Sequence, residues 1–165
     1  MSAGFGLSFG QSGSLVKIAI QTPIFKAPLS DAPLSGSRVL KLINEEREKE
    51  DLQPLIRNAG LDFVAYIRAK NIMANGDFSH EATKSAGLVY TNVANRLLIQ
   101  YQKIGENLAL GDFDGEEATL IKAWMDSPSH RETILGDYNR AGIYVLLGKF
   151  NGVQTQVIVL VAAKR

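Results

Sequence analysis

Apolar residues recur at helical spacing from residue 37 onward. Val39, Leu40 and Ile43 form one stripe. A second stripe lies between Asn58, a residue suited to begin a helix, and Gly76, a residue suited to end one. Stripes of this period indicate amphipathic helices that pack against a core. We predict helices over residues 37–53, 58–74, 91–101, 114–125 and 127–135.

Two of these helices have more specific start signals. Asp114 precedes Glu117 by three positions, which matches a capping box, so we expect Glu117 to serve the helix end rather than a functional site. Ser127-Pro128 places an N-cap residue before a proline at the first helical position, and Gly136 ends that helix. His130 is therefore expected in the first turn of a short helix, beside main-chain N–H groups that lack partners within the helix.

Strand-like alternation takes over at residues 103–110 and in the last part of the chain. Residues 141–147 and 153–162 are rich in Val, Ile and Leu, and Asn151-Gly152 between them is a strong hairpin signal. The order is helices, one strand, further helices and a hairpin, without βαβ alternation. This order predicts an α+β domain in which a mostly antiparallel central sheet is flanked by helices.

The first 36 residues differ from the rest in composition. Residues 1–14 are rich in Gly and Ser, and residues 22–37 contain three prolines. Between them Val16, Ile18 and Ile20 alternate with less apolar residues, as in a half-buried strand. We predict an N-terminal extension over residues 1–36, formed by a flexible lead, a strand that pairs with a sheet edge and a proline-containing linker, followed by one domain over residues 37–165.

Composition excludes several classes of function. The chain has 165 residues with 45% hydrophobic and 21% charged residues, and its net charge of +1 gives no general attraction to nucleic acid. The absence of cysteine excludes disulfides, thiolate zinc sites and cysteine nucleophiles. No apolar run is long enough for a membrane helix and no signal peptide is visible. The charged run over residues 45–51 is typical of a solvated helix face.

Candidate chemistry concentrates on three residues. His80 and His130 are the only histidines, and the strand alternation places Glu106 on the same face as apolar neighbours. A carboxylate in such surroundings needs a compensating charge or hydrogen bonds. Two imidazoles and a carboxylate suit Zn²⁺ or another divalent cation. Taken alone, each histidine is better explained as a hydrogen-bonding surface or cap residue than as a ligand, and no HExxH, phosphate-loop or GxSxG motif is present.

Four segments in order resemble bacterial CAP domain proteins, the family of cysteine-rich secretory proteins, antigen 5 and pathogenesis-related 1 proteins. The likeness covers about residues 38–165 and is carried by Leu42-Ile43-Asn44-Glu45-Glu46-Arg47, Phe78-Ser79-His80, Gly105-Glu106-Asn107-Leu108-Ala109 and Trp124-Met125-Asp126-Ser127-Pro128-Ser129-His130-Arg131-Glu132-Thr133-Ile134-Leu135. The resemblance implies an α-β-α sandwich. It matches His80, Glu106 and His130 to a groove that binds a divalent cation in some members. Ser127 stands where eukaryotic members have a second glutamate.

The resemblance implies a noncatalytic binding domain as the leading function. Its groove would present His80, Glu106, His130, Ser127 and Asn107 to a small molecule, lipid, glycan or protein ligand, with His80, Glu106 and His130 as candidate metal ligands. A hydrolase that uses a metal-bound or histidine-activated water is the alternative. A purely structural polar cluster is the third. We expect an extracytoplasmic monomer that does not bind nucleic acid.

Overall fold

The computed structural model describes residues 33–80 and 89–165, so the predicted strand at Val16–Ile20 and most of the predicted linker lie outside the described residues. The helices are α1 (Gly36–Glu48), α2 (Ala59–Asn75), α3 (Val89–Arg96), α4 (Glu117–Asp126) and α5 (Pro128–Leu135). The strands are β1 (Ile56–Arg57), β2 (Lys103–Gly111), β3 (Arg140–Phe150) and β4 (Val153–Lys164). A short 3₁₀ turn, Phe113–Gly115, precedes α4.

The four strands form one sheet in the order β1-β3-β4-β2. The pairings of β3 and β2 with β4 are antiparallel, whereas β1 pairs with the start of β3 in parallel. The sheet is therefore mixed, and the expectation of a mostly antiparallel sheet holds for its two long pairings. The parallel β1 strand was not predicted, because two residues are too few to show a period.

Helices cover both faces of the sheet, as the α-β-α arrangement requires. Alternating residues of β4 point to opposite faces. Ile158 and Leu160 pack with α1, α4 and α5, whereas Val157 and Val159 pack with α2 and α3. Trp124 anchors α4 in the first of these two cores and is only 2% exposed. The predicted α+β fold is confirmed.

The predicted turn and cap residues mostly act as expected. The Asn58 side chain accepts a hydrogen bond from the Leu61 N–H at the start of α2, and Gly76 ends that helix in the left-handed conformation. Asn151 and Gly152 both have positive φ between β3 and β4, as a type I′ hairpin turn requires. Ser127 occupies the N-cap position of α5, although its side chain makes no capping hydrogen bond.

The predicted capping box at Asp114 and Glu117 is wrong. Asp114 lies in the 3₁₀ turn at a φ of 54°, and Glu116 is the residue at the N-cap of α4. The Glu117 carboxylate instead accepts the Ser35 N–H at 2.8 Å and lies 3.4 Å from the Arg38 guanidinium. Glu117 therefore ties α4 to the start of α1, so it remains a structural residue with a different partner.

The third predicted helix ends earlier than expected, at Arg96 instead of residue 101. Leu98 adopts a left-handed φ of 55°, which a continuing helix does not allow. Leu97 and Leu98, which the helical stripe would have turned inward, are exposed. The helical pattern failed here because its last apolar residues belong to the turn before β2.

The charged run near the end of α1 is not wholly solvated, because Arg47 is 2% exposed. Its guanidinium donates to the main-chain carbonyls of Gln53, Ile134, Gly136 and Tyr138. Burial lowers the pKa of Arg47, and the nearby Asp137 carboxylate opposes that shift. Arg47 thus joins α1 to the end of α5, and by this contact it fixes one wall of the candidate site.

Candidate functional site

Glu106 is the centre of the candidate site. It lies on β2 with its side chain wholly buried, and one carboxylate oxygen is 2.9 Å from the Arg68 Nε while the other is 2.8 Å from the His80 Nδ1. The predicted position of Glu106 among apolar residues is confirmed, since Ile104, Leu108 and Leu110 belong to the same core. Its burial is compensated by these two partners, which is the compensation a buried carboxylate needs.

Arg68 is the residue of this cluster that the sequence analysis missed. It lies on α2 with a side chain only 3% exposed, and it donates to Glu106 and to the main-chain carbonyl of Ser79. Its spacing in the sequence could have revealed it, because Arg68 falls between Val64 and Ile72 in the apolar stripe of α2. A charged residue inside such a stripe needs a buried partner, and Glu106 is that partner.

His80 lies in the segment that follows α2, where Gly76 turns the chain out of the helix. Its side chain is 31% exposed, so it is the member of the cluster that solvent and ligands reach. A carboxylate paired with an arginine only accepts hydrogen bonds, so the contact with Glu106 makes Nδ1 the protonated nitrogen of His80. In the tautomer with Nδ1 protonated, Nε2 carries a lone pair that can accept a hydrogen bond.

Tyr90, near the start of α3, is a second residue that the sequence analysis did not single out. It is 7% exposed and packs in the same core as Leu108. Burial and the negative charge of Glu106 raise the pKa of Tyr90 to about 12. Its phenol therefore stays neutral and serves as part of the wall around Glu106.

His130 is held on α5 by β2. The Asn107 Nδ2 donates to the main-chain carbonyl of His130 at 2.9 Å, and the His130 ring lies 6.4 Å from the Trp124 ring. Burial, and to a smaller extent the charge of His80, lower the pKa of His130. A pKa below the ordinary value of 6.5 leaves the ring mainly neutral at pH 7.

The remaining predicted groove residues lie beside α5. Asn107 and Glu106 are consecutive on β2, so their side chains leave the strand on opposite faces. The Asn107 Oδ1 is the one buried side-chain oxygen or nitrogen without a partner in the described part of the chain. Ser127 is 4% exposed, and its Oγ lies 3.4 Å from the Ser129 Oγ. Ser127 thus offers no carboxylate to a metal ion.

The contacts of Glu106 disfavour a three-ligand metal site. Both oxygens of Glu106 are already engaged, and the Arg68 guanidinium would repel a cation at the same carboxylate. Within residues 33–80 and 89–165, no group of three or more His, Asp or Glu side chains is placed to hold a metal ion. The metal role of His80, Glu106 and His130 stays a prediction, and the geometry leaves two imidazoles as the available ligands.

Sequence and structure comparisons identify relatives of the chain. Residues 40–161 match the model of the cysteine-rich secretory protein family, CAP. The chain is 33% identical over 110 residues to the uncharacterized protein YkwD of Bacillus subtilis, an alignment that covers 64% of this chain and 41% of that protein. The chain therefore spans about two fifths of this relative.

Solved structures share the fold. An extracellular protein of Bacillus anthracis that contains an SCP domain matches with a TM-score of 0.65 and 21% identity, covering 78% of this chain and 40% of that one. An outer surface protein of Borrelia burgdorferi matches with a TM-score of 0.66 and 24% identity, covering 81% of this chain and 98% of that one.

The family match extends over most of the described domain and includes His80, Glu106 and His130. It also agrees with the α-β-α layers and with the order of helices and strands. The chain belongs to the cysteine-rich secretory protein (CAP) family.

Proposed function

We propose that this CAP domain is a noncatalytic binding module that takes a small polar ligand at His80, beside the buried Arg68–Glu106 pair. The contact pattern of Glu106 carries the proposal. Its two oxygens already contact Arg68 and His80, so a metal ion there would compete with these contacts and with the positive charge of Arg68. His80 remains partly exposed, with Nε2 ready to accept a hydrogen bond from a ligand hydroxyl or amide.

His130 contributes the second imidazole of the proposed groove. Its lowered pKa keeps the ring neutral, and a neutral imidazole favours an uncharged hydrogen-bonding ligand over an anion. Small molecules and glycans have such groups, whereas a bare divalent cation would have only the two ring nitrogens. Zinc binding in this proposal is therefore weak.

A fragment screen by NMR on labelled protein tests the binding role. Small polar hydroxyl and amide compounds are expected to shift the ring resonances of His80 and His130, and the His80→Ala variant is expected to lose these shifts. Lys122→Ala, which changes an exposed side chain on α4, is the matched control. Shifts that cluster elsewhere, or that survive in His80→Ala, would reject the groove.

A hydrolase is the second candidate, and the contact between Glu106 and His80 favours it. A carboxylate that accepts from Nδ1 orients an imidazole as a general base at Nε2. A peptidase and esterase screen distinguishes the two roles. The binding proposal predicts no turnover, and turnover that His80→Gln abolishes while Lys122→Ala retains it would establish the hydrolase.

We also propose that the chain has an extracytoplasmic location and that it acts as a monomer. The support is the similarity to proteins described as extracellular or as an outer surface protein. No helix among the described residues is long and apolar enough to span a membrane. Cell fractionation with an antibody against the domain tests the location, and recovery in the cytoplasmic fraction would contradict it.

A further inference from the structure

The outer edge of β3 is open over most of its length. β3 has 11 residues, yet β1 pairs only with Arg140 and Ala141. The Ala141 carbonyl accepts from the Asn58 N–H, and the Ile143 N–H donates to the Asp62 carboxylate at 2.9 Å. Main-chain groups of alternate residues point to the same side of a strand. Val145, Leu147 and Lys149 therefore direct theirs away from β4.

This open edge has an apolar side chain that the described core does not cover. Leu147 is 41% exposed, and Val145 on the same face packs against the core that contains α1. No strand among residues 33–80 and 89–165 lies beside β3 beyond Ala141. An uncovered edge with an exposed leucine favours the addition of a further strand.

At the opposite edge of the sheet, one main-chain group already has a partner. The Trp124 Nε1 of α4 donates to the Leu108 carbonyl of β2 at 3.3 Å. A strand added at β2 would have to displace this contact, which favours β3 as the edge that a further strand joins.

We propose that residues 16–20 add to the sheet as an edge strand beside Val145–Lys149, with Val16, Ile18 and Ile20 covering Leu147. The alternation of these three residues gives one apolar face, which an edge strand on a half-buried sheet needs. The segment belongs to the same chain as β3, so its effective concentration at the edge is high.

The described chain enters α1 next to this edge. Leu34 is 4% exposed, and its N–H donates to the Gln156 side chain, on the β4 residue that pairs with Leu147. A side chain at Gly36 would meet the Ile143 carbonyl at 3.5 Å. If fully extended, residues 21–32 would span up to about 40 Å. This distance is about the length of β3, so the chain is long enough to bring residues 16–20 to this edge.

Amide hydrogen exchange on the full chain tests this assignment. We expect Leu147 and Lys149 to be protected in the parent protein and to exchange about tenfold faster or more in Ile18→Pro, because proline cannot donate to a sheet ladder. Ser12→Pro, a proline placed in the Gly/Ser-rich lead, is the control and should retain the protection.

Four results would overturn the proposal. The first is exchange of Leu147 at the rate of an unstructured peptide in the parent protein. The second is protection that Ile18→Pro leaves unchanged. The third is protection that falls on dilution, which would assign the edge to a second copy of the chain. Loss of protection on β2 instead of β3 would place the strand at the other edge and would equally reject the assignment.

Discussion

At the scale of residues, the site is defined by a buried ion pair. Alternation along β2 was enough to predict that Glu106 faces apolar neighbours and needs a partner. The identity of that partner was missed, because the periodicity argument counted the apolar residues of α2 and passed over Arg68 in the same stripe. A search for charged residues inside apolar stripes would have found it. The contact between His80 and Glu106 could not be predicted, since it depends on how the chain leaves α2.

Replacing Arg68 alone should strongly destabilise the fold. Arg68→Met leaves the Glu106 carboxylate buried without its counter-charge, so we expect a loss of about 3–5 kcal/mol in the free energy of unfolding. The double variant Arg68→Met/Glu106→Gln removes both charges and should recover part of that loss. Urea denaturation of the parent, both single variants and the double variant measures the coupling. Additive effects would show that the two residues do not act as a pair.

Stability should fall with acid through His130. Its folded-state pKa lies below the ordinary value of 6.5, so the unfolded chain binds more protons in this range. The contribution of the neutral ring is complete above about pH 6.5 and is lost as the pH falls toward the lower folded-state pKa.

Urea denaturation of parent and His130→Gln on both sides of that range tests this dependence. The variant should show a shallower decrease in stability on acidification than the parent. Titration of the His130 ring by NMR gives the sign directly, and a pKa above the ordinary value would contradict burial as the dominant cause.

At the scale of elements, helix caps and turn residues were the most reliable guides in the sequence to where helices and hairpins begin and end. Asn58, Gly76 and Asn151-Gly152 act as expected because their side chains or allowed φ values act locally. The end of α3 and the partner of Glu117 were predicted wrongly, because each depends on contacts between distant segments. The strand β1 has only two residues and so carries no periodic signal. It is held at the start of β3 by hydrogen bonds from the Ile56 and Asn58 N–H groups to the Asn139 and Ala141 carbonyls.

The packing of α2 on β3 depends on Gly142. A Cβ there would lie 2.0 Å from the Leu61 main-chain carbon, and the backbone of α2 cannot yield as a side chain can. Gly142→Ala should therefore destabilise the fold by about 3 kcal/mol, at the upper end of overpacking costs. Gly148→Ala on the same strand is the control, because its Cβ would meet only the flexible end of Met73. Equal effects of the two substitutions in thermal denaturation would contradict this explanation.

At the scale of the whole molecule, the order of predicted elements was enough to predict a sheet flanked by helices, and the resemblance implied the α-β-α layers that the structure has. Sheet order could not be predicted, because the position of β2 beside β4 depends on a connection through three helical segments. Arg68 of α2 supplies the positive charge beside Glu106 of β2. The proposal of a polar ligand instead of a metal ion depends on this internal counter-charge.

Calorimetric titration of the purified chain with Zn²⁺ near neutral pH tests that central claim most directly. With Glu106 paired to Arg68, only His80 and His130 remain as ligands, which is too few for a tight zinc site. We predict no saturable binding at micromolar zinc. One-to-one binding in that range, abolished in His80→Ala and retained in Lys122→Ala, would contradict it.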